Sequence, residues 1–428
     1  MSCNLANSTL DNSDGRFSHF LQRQVRQLSE KGLPVLFRKC HNLLFFLLFV
    51  LQSLVILPFV FVVRLLRVLV VIRFGPLRSE RIGHFAVNTE LYLCERDAGM
   101  NSRKTFDIFY HTSPICNHQL KRMWERRLWV SCFVRPMDRL NRLLPGGESH
   151  VITMPSDRDI YGLMARTQIH LSFTPEEEHL GRRKLLELGV RDGSSFVCFH
   201  ARDQAYLDAI EPGRNWDYHD YRDSSIHNYI PAAEKLVQRG YYAIRMGAIV
   251  KEPLTTLNPG IIDYATKGRT DFLDIYLSAK CQFFICSATG MYSIPMIFRR
   301  PIVYVNYIPL EYVPTWGMSD LFIPKKLFLL KENRFMSFRE IIESGVGRFL
   351  KREEYEHLGL EIHDNTPEEI TAVTIEMDER LKGIWQTTEE DEELQRRFRS
   401  LFKPGELHGE IVSRIGAEFL HQNRKLLD

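Results

Sequence analysis

Residues 43–63 form a run of 21 positions without a charge, most of them Leu, Phe and Val. Away from water only a helix satisfies its own backbone over such a length, and a run this long matches the hydrocarbon core of a bilayer. A single span is one expectation. Basic residues stand on both sides, Arg16, Arg23, Arg26, Lys31, Arg38 and Lys39 before it and Arg64, Arg67, Arg73, Arg78 and Arg81 after it, so the positive-inside rule selects neither orientation. A monotopic hairpin bent at Pro58, a basic segment in the interface of an anionic leaflet, and a helix packed on the protein itself are also compatible. A secretory leader fits poorly, because the run begins only at Leu43 and no small-residue cleavage pattern follows.

Outside this run the chain reads as a folded protein. Its 428 residues exceed one ordinary core and suit two domains. With 44% apolar and 25% charged residues it is neither disordered nor a multi-span membrane protein. A net charge of +3, from 56 Lys and Arg against 53 Asp and Glu, gives no bulk argument for a nucleic-acid partner. The eight cysteines contain no C-x-x-C pair; zinc-finger and disulfide frameworks are not expected, and the scattered thiols suit a cytosolic setting.

The pattern after the apolar run alternates strand and helix. Residues 68–73 read as a strand, 74–85 as a Gly-containing loop and 86–96 as a helix; 106–110, 119–128 and 150–154 continue as strand, helix and strand. Thr174, Pro175 and three acids open a helix at the natural boundary between halves. The second half repeats the alternation, with strands at 195–200, 241–246, 282–286 and 302–306 and helices at 225–239 and 272–280. The expected fold class is α/β with parallel sheets. The expected organisation is a polar tail 1–42, a hydrophobic membrane-associated helix 43–66, a first Rossmann-like domain 67–172, a linker helix 173–193, a second Rossmann-like domain 194–385 and a helical tail 386–428, where 389–393 reads as an acidic loop before a basic helix.

In doubly wound sheets ligands bind beyond the C-terminal strand ends, and four places there carry polar chemistry. In F-H-A-R-D, His200, Arg202 and Asp203 follow a strand, and a guanidinium fork suits phosphate oxygens. In C-S-A-T-G-M-Y-S, Ser287, Thr289, Gly290 and Ser293 follow another strand and offer backbone N–H groups at a helix start, near the cationic strand end formed by Arg245 and Gly247. The loop R-I-G-H-F supplies Arg81, Gly83 and His84, with Asn88 and Glu90 on the next helix; His84 titrates in the range a general base needs. Y-H-D-Y-R-D, residues 218–223, suits a sugar ring, a base or a surface turn. The D-x-D triplet of Asp157, Arg158 and Asp159 is weak as a metal motif outside a nucleotide-binding unit. No Walker A, G-x-G-x-x-G, G-x-S-x-G or H-E-x-x-H motif occurs.

R-I-G-H-F with N-T-E-L-Y-L, F-H-A-R-D, D-Y-R-D-S-S-I, Y-I-P-A-A-E, R-R-P-I-V-Y-V-N, H-G-E-I and R-I-G-A-E-F-L together resemble a family of bacterial glycosyltransferases found with surface-carbohydrate genes. The resemblance runs from about residue 64 to the end. H-A-R-D is distantly similar to the His-x-Arg region of GT-B fucosyltransferases, and S-A-T-G to the donor loop of heptosyltransferases. The fucosyltransferase motif has a second Arg or a Gly before its Asp, which is missing here, so GDP-fucose is not implied. The resemblance implies a GT-B fold of two facing Rossmann-like domains, acceptor on the first (67–172) and nucleotide sugar on the second (194–385), with no metal requirement and no cofactor; with the apolar run as anchor and fixed cations meeting the departing diphosphate, the expected reaction is inverting transfer from the nucleotide-sugar donor to a surface-glycan or lipid-linked acceptor. It casts His84, Glu90 and Arg202 as catalytic, His200, Arg202, Asp203, Arg245, Gly247, Ser287, Thr289, Gly290 and Ser293 on the donor, and Arg81, Gly83, His84 and Asn88 on the acceptor. The expected setting is the inner or cytoplasmic membrane, with the catalytic part facing the cytoplasm. A noncatalytic nucleotide-sugar or glycan-binding scaffold and a GT-B-like sugar-nucleotide epimerase or hydrolase are the alternatives.

Overall fold

The computed structural model describes residues 37–428 except 39, 46, 49, 101–103, 211 and 214; the expected polar tail 1–42 therefore lies almost wholly outside the described residues. The apolar run is helical, α1 covering Cys40–Val68 with a last 3-10 turn at Leu66–Val68. Val60 is buried, but Leu44, Leu47, Leu51, Leu54, Phe59 and Phe61 are all more than half exposed. A helix packed into a soluble core hides one stripe; this one is open around its circumference.

Among the described residues, those up to Phe74, with Lys104–Asp107 and Phe133–Val151, form one compact unit, and the others form a second. In the first, Arg64 near the end of α1 binds the C-terminal end of α4 (Val134–Leu143), donating to Asn141 Oδ1 at 2.9 Å and to the carbonyls of Asn141, Leu144 and Pro145 at 3.1, 3.3 and 2.8 Å. The Asn141 and Leu144 carbonyls also accept backbone N–H groups, from Leu144 and Gly147 at 3.2 Å each, so Arg64 adds a second donor to each at the helix end. Arg73 and Asp107 form a two-bond ion pair at 2.7 and 2.6 Å.

Strand β1 is Val71–Leu77, three residues later than the sequence suggests, because α1 and its terminal turn take up residues 66–68. It pairs with β2, Thr105–His111. The expected strand at 150–154 shrinks to a single parallel bridge between Val151 and Phe74. The first half thus carries a two-stranded sheet with isolated bridges, whereas the second builds a seven-stranded parallel one.

That sheet holds β3 (Phe196–His200), β4 (Tyr242–Arg245), β5 (Ile261–Asp263), β6 (Phe284–Cys286), β7 (Ile302–Tyr307) and β8 (Leu321–Pro324) in the order β8-β7-β6-β3-β4-β5, with Arg414–Ile415 beyond β8. The strands are short and buried on both faces, as continuous apolar runs predict for parallel sheets; Val197, Phe284, Ile302 and Phe322 are wholly buried. The α/β class read from the sequence is the class observed. Helices α2 (Ile82–Asp97), α3 (His118–Glu125), α5 (Pro175–Glu187), α6 (Ala205–Ile210), α7 (Ile230–Gln238), α8 (Asp271–Lys280) and α9 (Ser293–Ile297) belong to the same unit as the sheet. α5 opens with the full capping box of Thr174 and Glu177. It packs on α8, where a Cβ at Gly181 would lie 2.1 Å from the Tyr276 ring. The acidic stretch at 389–393 is helical and not a loop: it fills the first turn of Glu389–Arg399, capped by Thr388, where the helix dipole favours acids.

Candidate active site at the C-terminal strand ends

The chain order reverses between β3 and β6, since β4 and β5 lie to one side and β7 and β8 to the other. Such a switch point opens a crevice beyond the two strand ends. F-H-A-R-D leaves β3 there and S-A-T-G leaves β6. The backbone N–H of Arg202 donates to Ser287 Oγ at 3.0 Å, tying the two loops together.

Arg202 is 7% exposed. Its Nη1 donates to the His219 carbonyl at 3.1 Å and to the Asp223 carboxylate, while its Nη2 is buried with no partner among the described residues. Burial and the nearby Arg222 pull its pKa down to about 10. Y-H-D-Y-R-D thus joins F-H-A-R-D: residues 217–222 form a 3-10 turn against Arg202, with the Tyr218 and His219 rings 4.0 Å apart. Lys325, just past β8, is 5% exposed and reaches the Asp223 carbonyl at 2.6 Å and Asp364 at 2.7 Å. Burial lowers its ammonium below the usual lysine value, Asp364 opposing and Arg202 adding to the effect. Asp223 ends the stretch Y-H-D-Y-R-D, whereas Lys325 did not stand out from the sequence; the fold brings Lys325 to Asp223 across 102 residues and Asp223 to Arg202 across 21.

The remaining donor-side residues divide. His200 donates through Nδ1 to the Met246 carbonyl at 2.9 Å, and burial keeps it below its ordinary pKa. Asp203 accepts from the N–H groups of Ala205 and Lys251 at 3.0 and 3.1 Å, which shapes the loop. Arg245 is only 2% exposed and turns onto its own chain, to the Glu252 carbonyl at 2.8 Å and Asp263 at 3.5 Å; Gly247 follows beside His200. Thr289 caps a 3-10 turn at Gly290–Tyr292, and α9 behind it has five residues. So short a helix contributes little dipole, and any pull on an anion here must come from side chains.

The loop R-I-G-H-F is helical from Ile82 onward. It approaches S-A-T-G backbone to backbone: a Cβ on Gly83 would stand 3.3 Å from Ser293 Oγ and 3.4 Å from Gly290 Cα. All four stretches singled out in the sequence therefore meet around the β3 and β6 ends. His84, half buried in the first turn of α2, donates through Nδ1 to Asn88 Oδ1 at 3.3 Å, and Asn88 is fixed by the Pro155 carbonyl at 2.7 Å. This leaves Nε2 as the acceptor nitrogen. Burial lowers the His84 pKa and Arg78 adds to it, against Asp157 and Asn88, so the ring is neutral at pH 7. Asp157 was visible in the sequence only as part of D-x-D. Its companion Asp159 is buried and accepts from the N–H groups of Leu163 and Met164 at 2.7 and 2.8 Å, and Arg158 binds the carbonyls of Leu407, Tyr312 and Val313.

Glu90 differs from the rest. It has no exposure, and its Oε1 lies 2.7 Å from Arg299 Nη2 and 3.1 Å from His170 Nδ1; His170 Nε2 in turn reaches Asp97 at 2.9 Å. Ligand atoms of Glu90, Cys94 and His170 lie within 4.8 Å of one another. Burial opposes protonation of His170, but Cys94, Glu90 and Asp97 outweigh it and raise the pKa to about 10. Arg299 and His170 share the same carboxylate oxygen, and these contacts tie α2 to the segments that carry Arg299 and His170.

Two cavities of about 860 and 450 Å³ are lined by residues 387–400 and by residues around 182–196 and 280–282; neither includes a residue of the strand-end crevice.

No family model and no curated protein matches the sequence. Among the solved structures to which the chain is similar are three described as glycosyltransferases. ADP-heptose lps heptosyltransferase II of E. coli is 13% identical over 54% of this chain and 84% of that one, with a TM-score of 0.32. A glycosyl transferase of family 9 from Veillonella parvula is 12% identical over 72% and 96%, with a TM-score of 0.40. The iron-containing dodecameric glycosyltransferase TibC of enterotoxigenic E. coli is 9% identical over 57% and 59%, with a TM-score of 0.31.

Proposed function

We propose that this chain is a glycosyltransferase, taking a sugar from a nucleoside-diphosphate donor to an acceptor hydroxyl at a membrane surface. The observation that carries the reading is Arg202: a buried guanidinium at the switch point between β3 and β6, with one nitrogen lacking a partner among the described residues. An unpaired buried donor is costly unless a ligand completes it, and a diphosphate oxygen is the partner its fork fits. Arg222 and Lys325 add positive charge to the same neighbourhood.

In this reading the acceptor lies by Arg81, Gly83, His84 and Asn88. Neutral His84 takes the hydroxyl proton on Nε2 as the oxygen attacks the anomeric carbon, and the bond to the diphosphate breaks on the opposite face with inversion. The negative charge growing on the leaving diphosphate is met by groups fixed in place before the reaction, Arg202 first, with the loop at Ser287 and Thr289 closing round it. The chain's own cations supply the charge that a metal supplies elsewhere. Glu90 and Arg245, held in ion pairs of their own, are assigned to support and not to substrate. The open apolar surface of α1 supports a membrane anchor, and an anchored chain suits a lipid-linked or surface-glycan acceptor.

The test is binding of UDP, GDP, ADP, CMP and dTDP to the purified full chain by thermal shift and calorimetry, beside Arg202→Met. Binding of one nucleotide that weakens at least tenfold in the variant supports the reading. Equal binding by both proteins removes Arg202 from the site, and binding without donor turnover indicates a scaffold instead.

A further inference from the structure

We propose that the exposed arginine face of α4 docks on the anionic phosphate headgroups of the bilayer that holds α1. The inference rests on the reading of α1 as a membrane anchor and extends it to a second element of the same compact unit. Arg135, Arg139 and Arg142 are all exposed and stand at i, i+4 and i+7, which places them on one side of the helix. Val134, Asp138, Leu140 and Asn141 form its buried side. Arg142 shares its charge with buried Asp138, whose Oδ1 accepts from its Nε at 3.0 Å.

The ends of this cationic stripe are apolar and open, Phe133 at 81% exposure and Leu143 at 68%. Large exposed apolar groups beside arginines fit the boundary between headgroups and acyl chains. α4 is also not free to turn. The Arg64 clamp joins its C-terminal end to the end of α1 through five hydrogen bonds, and Gly147 leaves room for it, since a Cβ there would lie 2.2 Å from the Asn141 carbonyl oxygen and 3.2 Å from Arg64 Nη2. Whatever depth α1 takes in a bilayer, α4 is held beside its end. Charge complementarity and this continuity with the anchor name the occupant: a surface of phosphate headgroups, to which each arginine contributes attraction that salt screens.

The exposed thiol of Cys132, two residues before α4, is a natural reporter. The full chain is reconstituted into vesicles of phosphatidylcholine alone or with phosphatidylglycerol, and alkylation of Cys132 by an impermeant maleimide is followed by peptide mass spectrometry. The expected result is flotation with both vesicles, Cys132 modified roughly tenfold more slowly on the anionic ones, and loss of that protection in high salt and in Arg135→Gln/Arg139→Gln/Arg142→Gln. An unchanged melting temperature shows that the variant is folded. Flotation with both vesicles and equal Cys132 rates overturns the docking face while leaving the anchor standing. Protection that persists in the triple variant also overturns it. Failure to float with either vesicle overturns the anchor, and the docking proposal with it.

Discussion

Replacing Glu90 by Gln separates support from catalysis at the most deeply buried carboxylate near the site. Glu90 sits on α2, six residues beyond His84, and its Oε1 meets Arg299 at 2.7 Å and His170 at 3.1 Å without any exposure. Arg299 follows α9, which packs along α2, so the pair fixes the two elements whose starts bring Gly83 against Gly290. Removing the negative charge leaves two cations facing each other in the interior, and breaking a buried pair in this way costs about 3–5 kcal/mol. In a chain of this size that corresponds to a fall in melting temperature of about 3–6 °C. The effect also depends on pH. The His170 pKa is raised in the fold, so its ionic contribution is complete below the ordinary histidine range and is lost as pH rises toward about 10. The stability gap between wild type and Glu90→Gln is therefore widest near pH 6 and narrows by pH 10. Thermal unfolding of both proteins across this range, together with donor turnover per folded molecule at low temperature, gives the answer. A melting temperature within about 2 °C of wild type, combined with turnover lost more than about a hundredfold, would refute the reasoning and make Glu90 a group that acts on substrate.

Three further outcomes are expected. His84→Asn lowers transfer by roughly 10²–10⁴, and the acidic limb of the wild-type pH–rate profile, which falls below the ordinary histidine range because burial and Arg78 lower the pKa, disappears with it; a variant that keeps both limb and rate excludes His84 as base. Lys325→Met weakens nucleotide binding about tenfold in a calorimetric titration, and unchanged affinity would place its charge outside the donor site. Gly181→Ala, whose Cβ would stand 2.1 Å from the Tyr276 ring, destabilises the α5–α8 contact by about 1–3 kcal/mol in denaturant unfolding, whereas a neutral effect would contradict that packing.

What the sequence made legible follows from how local each signal is. The start of α5 was readable because its cap, proline and acids lie within five residues and act on one another. The start of α2 was not: Arg81 makes no side-chain cap, and what holds that turn is the approach of Gly83 to Gly290, two hundred residues away. The short strands β3 and β6 were visible as apolar runs, and their order in the sheet is what turned four separate polar stretches into one crevice. Arg245 and Arg202 look alike in sequence, each at a strand end. Only the register that sets Arg245 opposite Asp263, and leaves one Arg202 nitrogen without a partner, separates a structural arginine from a binding one. Lys325 carried no motif at all; its place beside Asp223 is a product of long-range strand pairing.

The central claim is that fixed cations of this chain, Arg202 foremost, stabilise a departing nucleoside diphosphate. The most direct measurement is release of nucleoside diphosphate from the nucleotide sugar that binds, followed with the membrane-reconstituted full chain in excess chelator, for wild type and Arg202→Met. The account predicts turnover that survives the chelator and falls by about 10²–10³ in the variant. Wild-type turnover abolished by the chelator, or a variant as fast as wild type, would contradict it.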